Sequence, residues 1–433
     1  MTRCLMLAAV LCCAPLLACA QEVRYLLWDS DQQPAYRQCA AQFEQRHPGI
    51  RIRISQIGWA DYWTALSTGI IAGTAPDVFV NHLAKFPELA RNRQLLDLVP
   101  LVRRDRLDPQ AFTPGLYGVW ARDGRQYALP KDWDTVALAV NLELAEKAGV
   151  TREELQSMDW NPVDGGSFER IARRLTTDAA GRSGTHSQFD RKRVRVWGFQ
   201  TPGPGGALGQ TEWSHFAGST GFTLQERPWA PRLQYDDPRL AQPIDYIAGL
   251  PRKGISARFD LTRSLGSAAM FIAGKAAMVP EGSWTVSNFA RNAKFRHAWV
   301  PLPVGPSGQR ASMMNGLGDS IWAGTKVPEA AWKWVRFMAS PDCQRLVAAS
   351  GVAYPSLRGF AEQAVEAQRR RGADASAFLV MAQSRTFPMP IADHGAEIHE
   401  MVGTAIESVL VGKADARTAL RTVDAKVRRL LQP

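Results

Sequence analysis

The chain has 433 residues, 45% of them hydrophobic and 21% charged, with a formal net charge of +11. That composition is globular, and the length fits two domains or one large α/β unit with lobes. Arg and Lys are scattered, and the densest clusters (Arg191 to Arg195, Arg369 to Arg371) are short. The positive balance therefore reads as solvated surface, not as a nucleic-acid-binding stripe.

Residues 1–20 stand apart. Arg3 supplies a minimal positive start, Leu5 to Leu17 an apolar core, and Ala18-Cys19-Ala20 a small-x-small cleavage pattern. The segment reads as an export signal, and the expected location is periplasmic. The alternative is a lipobox, Leu16-Leu17-Ala18-Cys19, with Cys19 acylated. Val23 already begins the first strand, which leaves almost no tether for such an anchor. Four of the six cysteines lie in this segment. Cys39 and Cys343 remain, either to pair or to sit buried, and they lack metal-ligand spacing.

In chain order, Val23 to Trp28 reads as a strand, followed by the polar loop Asp29 to Gln33. Pro34 opens a helix in which Tyr36, Cys39, Ala40 and Phe43 recur at helical spacing. Ile50, Ile52 and Ile54 alternate with Arg51 and Arg53, a strand with one face buried. Strand, helix and strand in that order imply a parallel pair with a right-handed crossover. A loop holding Trp59 leads to a helix from about Asp61 to Ala72, and the strand Asp77 to Val80 ends at Asn81 and His82. Ligands bind outside the carboxyl ends of strands in open α/β sheets. Asp31, Trp59, Asn81 and His82 therefore share the expected binding edge, although each alone suits a solvated loop.

Tyr127 to Gly149 organises the rest. A short strand ends at Pro130, Lys131, Asp132, Trp133 and Asp134 follow, and the apolar run Val136 to Val140 leads to a helix starting at Leu142. This reads as a crossing between two domains that exposes a carboxylate and an indole, side chains suited to hydroxylated rings. Beyond it, Thr201 to Gly209 reads as an irregular glycine-rich loop before a helix near Gln210 and Trp213. GKAAMVPEGSW brings a buried strand to a loop displaying Trp284. Met313 to Gly324 reads as a second crossing with glycines at its centre. Helices dominate from Glu329, interrupted by the extended stretch Arg385 to Pro390. Trp322, Trp332 and Trp334 lie in apolar patterns and are assigned to packing.

The segments FEQRHPGIRIRI, GTAPDVFV, YALPKDWDTVALAVNLELAEKAGV, FIAGKAAMVPEGSW, PLPVGPSG with NGLGDSIWAG, and EAAWKWVRFMASPDCQ occur in one order over most of the chain. Together they resemble the bacterial extracellular solute-binding proteins of sugar ABC importers, the group that contains maltose-binding protein. The resemblance implies an α/β, two-lobe periplasmic-binding-protein fold of type II. Each lobe would be a mostly parallel sheet flanked by helices, joined by a multi-crossing hinge. One lobe would take residues 21–134 with 315–369, and the other residues 135–314 with 370–433. It also implies ligand contacts at Asp31, Trp59, Asn81 and His82, and at Asp134 by the hinge, where Trp133 is the indole expected at the crossing. Trp213, Trp284, Asn315, Gly316 and Arg385 complete the set.

The implied ligand is a mono- or oligosaccharide, a maltose- or trehalose-type disaccharide first among them. The implied partners are the permease subunits of an ABC importer, with a monomeric chain and no cofactor, metal or nucleic acid. Three departures stand out: Trp213 and its glycine-rich approach align only loosely, His82 occupies a position where family members vary widely, and the Asp178 to Arg193 loop is long. An exported polysaccharide-degrading enzyme is the competing class. Asp77, Asp132 and Asp134 are available carboxylates, but no second acid is held opposite, and there is no H-E-x-x-H, G-x-S-x-G or P-loop. A further alternative is an anionic glycan or sugar phosphate, met by His82 and Arg385.

Overall fold

The computed structural model describes residues 20–263 and 265–432. The export signal and the acylation alternative at Cys19 lie outside these residues, Ala20 excepted. Among the described residues no helix is long and apolar enough to cross a membrane.

Ten strands form the two main sheets. They are β1 (Gln21–Leu27), β2 (Ile50–Gln56), β3 (Val78–His82), β4 (Leu129–Asp134), β5 (Val136–Asn141), β6 (Met278–Gly282), β7 (His297–Val300), β8 (Ala311–Ile321), β9 (Tyr354–Pro355) and β10 (Arg385–Pro388). The larger sheet runs β9-β4-β8-β3-β1-β2, and β10 pairs with β8. The smaller sheet is β6-β5-β7.

The parallel pair expected from the first strand-helix-strand unit forms, with Gln21 opposite Ile50 and Leu27 opposite Gln56. Successive side chains of β1 then enter different cores, because side chains alternate across a strand. Val23, Tyr25 and Leu27 pack with Phe43 and Trp334 on one face. Leu26 packs with Tyr62, Phe79 and Trp120 on the other. The expectation of mostly parallel sheets needs correction. β8 runs antiparallel to both β3 and β4, and both neighbours of β5 are antiparallel to it. A parallel neighbour needs a crossover that returns the chain to the same end. The partners of β5 instead come from distant segments entering at the opposite end.

A third core gathers β5, β6 and β7 with the C-terminal helices; Val136, Phe216, Val279, Phe289 and Val402 belong to it. Trp332 and Trp334 are fully buried and Trp322 nearly so, as their apolar settings predict.

Eight helices matter below: α1 (Gln33–Arg46), α2 (Trp59–Ile71), α3 (Leu142–Lys147), α4 (Ser214–Ser219), α5 (Val286–Asn292), α6 (Pro328–Met338), α7 (Pro341–Ser350) and α8 (Gly395–Leu410). Cys39 of α1 and Cys343 of α7 form a disulfide, their Cα atoms 5.1 Å apart. The choice between pairing and burial is thus resolved as both, since each cysteine is also fully buried.

The crossing differs from its reading as an exposed turn. Lys131 to Asp134 are strand residues of β4, flanked by β8 and β9. The side chains of Lys131 and Asp132 are 1% and 3% exposed. Lys131 Nζ donates to Asp132 Oδ2 at 2.7 Å and to Gln32 Oε1, and lies 4.6 Å from the Tyr36 ring centroid. Burial works against the ammonium charge, and Asp132 outweighs it, holding the Lys131 pKa above its ordinary value. β5 then re-enters the second core after the single residue Thr135, and Asn141 caps α3 by accepting from Glu143 N and Leu144 N.

Candidate functional site

Between the cores lies a cleft of about 860 Å³. Strand ends of the larger sheet supply one wall. β1 delivers Trp28 and Asp29, β3 ends at His82, β4 ends at Trp133 and Asp134, and β8 contributes Asn315. Trp59 is the first residue of α2, not part of a loop, and is 50% exposed. The facing wall comes from Leu208 and Gln210 of the glycine-rich loop, Trp284 after β6, and His399 and Glu400 of α8.

That loop is glycine-rich for a local reason. Gly206 sits at φ +52, and a Cβ there would lie 2.3 Å from the His399 ring. Only a residue without a side chain lets the backbone pass so close to α8.

At the cleft floor, Asp134 is held between amides. Gln210 Nε2 donates to its Oδ1 at 2.6 Å and Asn315 Nδ2 to its Oδ2 at 3.1 Å. Burial, with Asp132 close by, pushes the Asp134 pKa well above the usual carboxylate range. Asn315 Nδ2 also lies 3.2 Å from His82 Nε2, while Asn315 Oδ1 has no donor. Burial, helped by Lys85, pushes His82 down to about 4, so its ring is neutral near pH 7. On the wall above, Trp28 and Trp59 meet edge-on at 5.0 Å, and His82 lies 5.4 Å from Trp59.

The cleft thus unites Trp59, His82, Trp133, Asp134, Trp284 and Asn315 of the expected set. Trp133 contributes an edge only, since it is buried with its ring 4.8 Å from that of Tyr354.

Five residues of the set are placed elsewhere. Asn81 is fully buried; its Nδ2 donates to Ser320 Oγ and its Oδ1 accepts from His82 N. Asp31 is engaged by Arg291 of α5 at 2.7 Å. Trp213 is buried in the third core, because Gly209 turns the chain against its indole. Gly316 faces Trp133 across the ladder within β8. Arg385 donates to Gly218 O at 2.6 Å, Phe222 O at 3.0 Å and Thr223 Oγ1 at 2.8 Å, so its guanidinium closes the end of α4. Sequence reasoning missed Trp28, Asp29, Gln210 and Glu400. The carboxyl-end rule could have found the first two, since both follow β1 directly.

A second chamber of about 540 Å³ adjoins the cleft and shares Leu208, Gln210, Trp284, His399 and Glu400 with it. It is also lined by Glu212, which burial pushes up to about 7. Its neighbour Glu281 is likewise pushed up to about 7, by burial first, with Ser267 Oγ donating in opposition and Glu212 adding repulsion. The folded-state pKa lies above the unfolded value of about 4.3, so stability is greatest below that value and falls as pH rises towards 7. Glu281→Gln should therefore raise stability by about 1–3 kcal/mol at about pH 8 and leave it unchanged at about pH 4. Urea melts of both proteins at the two pH values check the sign.

The family model described as bacterial extracellular solute-binding protein matches residues 38–370. A putative binding protein of Brucella abortus is 24% identical over 415 residues, covering 92% of this chain and 90% of that one. Among solved structures, UspC of M. tuberculosis is 25% identical with a TM-score of 0.75, covering 94% of this chain and 99% of its own. An ABC substrate-binding protein from Listeria monocytogenes in complex with cycloalternan has a TM-score of 0.79 at 20% identity, covering 95% and 99%.

Proposed function

The chain belongs to the bacterial extracellular solute-binding protein family, and from that premise we propose that it captures a carbohydrate in the cleft and delivers it to the membrane subunits of an ABC importer. One observation carries the reading. Two half-exposed indoles, Trp59 and Trp284, stand on opposite walls above the Asp134–Gln210–Asn315 hydrogen-bonding floor. A sugar offers C–H faces to indoles and hydroxyl edges to carboxylates and amides. The Listeria relative holds a carbohydrate, cycloalternan. The cleft of about 860 Å³ alone sits at the upper end of the roughly 300–1,000 Å³ usual for small ligands, and the annexe of about 540 Å³ takes the whole beyond it. That suits an oligosaccharide better than one ring.

In this reading the protein works in the periplasm as a monomer of two lobes, residues 21–134 with 315–369 and residues 135–314 with 370–433. Contacts from both walls favour the closed form, and only the difference in affinity between open and closed forms drives closure. Binding without turnover follows, since no covalent step is required. The anionic-glycan alternative loses its support. His82 is neutral, Arg385 is committed to main-chain carbonyls, and Lys85 is the cation left in the cleft among the described residues.

Tryptophan fluorescence and thermal melting across a panel of mono- and oligosaccharides test the reading. A ligand at ~100 times its dissociation constant stabilises the folded state by about 2.7 kcal/mol, a clear upward melting shift. A saturable response with the sugar recovered unchanged is expected, whereas silence across the panel or a consumed sugar defeats it. Trp284→Ala should weaken binding of the responding sugar roughly tenfold or more with little change in melting, because the indole is 45% exposed.

A further inference from the structure

The acidic lining of the cleft runs against the net charge of the chain. The whole sequence carries +11, yet Asp29, Asp134 and Glu400 line the cleft and Glu212 lines the annexe. Other charges in this neighbourhood are matched. Asp132 pairs with Lys131 at 2.7 Å, Asp31 with Arg291 at 2.7 Å, and Glu407 of the annexe with Arg263 at 3.4 Å. Asp134 has amide donors on both oxygens, and no Lys, Arg or His is paired with it among the described residues. Asp29 accepts from the main-chain N–H of Asp31. Lys85 is the single ammonium on the walls among the described residues.

A second, independent observation marks the same spot. Asn315 is 2% exposed, lines the cleft beside Asp134, and its Oδ1 has no donor. A buried acceptor without a donor is costly, so its presence at a ligand floor points to what the ligand supplies. The floor therefore combines a carboxyl group that burial holds towards its neutral form, with no cation set against it among the described residues, and an unfilled acceptor. Above it stand the indoles of Trp28 and Trp59, whose faces attract cations. A hydroxyl brings one donor and no charge. An ammonium brings three donors and the missing charge, and a charge-assisted hydrogen bond is about twice as strong as a neutral one.

We propose that the carbohydrate taken by this cleft bears a primary amine, and that the ammonium lies against Asp134 with Asn315 Oδ1 as a further acceptor. The inference rests on the carbohydrate reading above.

The test uses matched mono- and disaccharides, α- and β-linked, that differ only in amine, acetamide or hydroxyl at one carbon. Titration calorimetry at about pH 6 keeps the amine protonated. In at least one series the amine should bind roughly tenfold or more tighter than its hydroxyl counterpart. Asp134→Asn should erase that advantage, with circular dichroism confirming that the variant is folded. A second reading needs no variant: the amine's advantage should shrink between low salt and about 1 M salt, where screening acts over ~3 Å. Equal affinity in every series, or a preference for hydroxyl or acetamide, overturns the amine and leaves the carbohydrate reading standing. Silence from all members removes both.

Discussion

Lys131→Met should destabilise the protein by about 3–5 kcal/mol, the range found when one partner of a buried ion pair is removed. The substitution keeps the length of the side chain and takes away its charge. Asp132, 3% exposed, then loses the partner at 2.7 Å, and Gln32 Oε1 loses its donor. The loss extends further. Asp319 accepts from Tyr25 Oη at 2.8 Å, and burial pushes it up to about 7 even with Lys131 pulling the other way. Without the ammonium, two buried carboxylates, in β4 and β8, lose the cation that both act on. Urea unfolding at about pH 8 measures the cost, and a loss under about 1 kcal/mol would show that Lys131 is dispensable. The double variant Lys131→Met with Asp132→Leu should recover part of it, because replacing a whole buried pair by apolar groups is often neutral.

Cys39→Ala combined with Cys343→Ala should cost a similar amount, about 3–5 kcal/mol. The bridge joins residues 304 apart, and cross-links that close long loops restrict the unfolded chain most. Its native surroundings give little back on reduction: α1 and α7 remain packed, but both thiols stay fully buried at the edge of the first core. Melting with and without a thiol reductant gives the same comparison on the unaltered chain. Equal melting temperatures would mean that helix packing alone fixes α7. Disulfides persist in oxidising compartments, which agrees with the proposed periplasmic location.

Local patterns carried the fold where neighbours in sequence are neighbours in space. The alternation of Ile50, Ile52 and Ile54 and the spacing of Tyr36, Cys39 and Phe43 each report one buried face, and β1, α1 and β2 form where they point. The same reasoning misjudged Lys131 and Asp132. Charged residues in a row read as a turn, and the buried network that satisfies them comes from Gln32, Tyr36 and Asp319, invisible to a local window. Strand direction failed for the same cause. That β8 runs between β3 and β4, against both, is decided by a segment nearly two hundred residues away.

The site was legible by rule and not by residue type. Trp59 and His82 were expected because they sit at carboxyl ends of strands or just beyond, and Asp134 because it sits at the crossing between the two domains. Trp213 and Trp284 were both expected at the ligand, Trp213 on the looser alignment. A glycine lies against each indole, Gly209 against Trp213 and Gly282 against Trp284, but the third core encloses the first ring and the second is 45% exposed. Arg385 was expected at the ligand and instead seals three acceptors around α4. A cation beside empty carbonyls is committed to them whatever its neighbours in sequence suggest.

The order β9-β4-β8-β3-β1-β2 sets a timetable. β3 and β4 follow each other in the chain, but the place between them is empty until Ala311–Ile321 has been made. A nascent chain that has emerged only as far as β7 can assemble the β1, β2 and β3 ribbon, yet it has no strand to join that ribbon to β4. The first core also waits for α6 and α7, which carry Trp334 and Cys343. Completion is therefore a late event, slow because it depends on contacts far apart in sequence. Until Ala311–Ile321 has been made, the larger sheet stays open between β3 and β4, and that half of the chain keeps the looseness of a polypeptide still able to pass through a narrow channel.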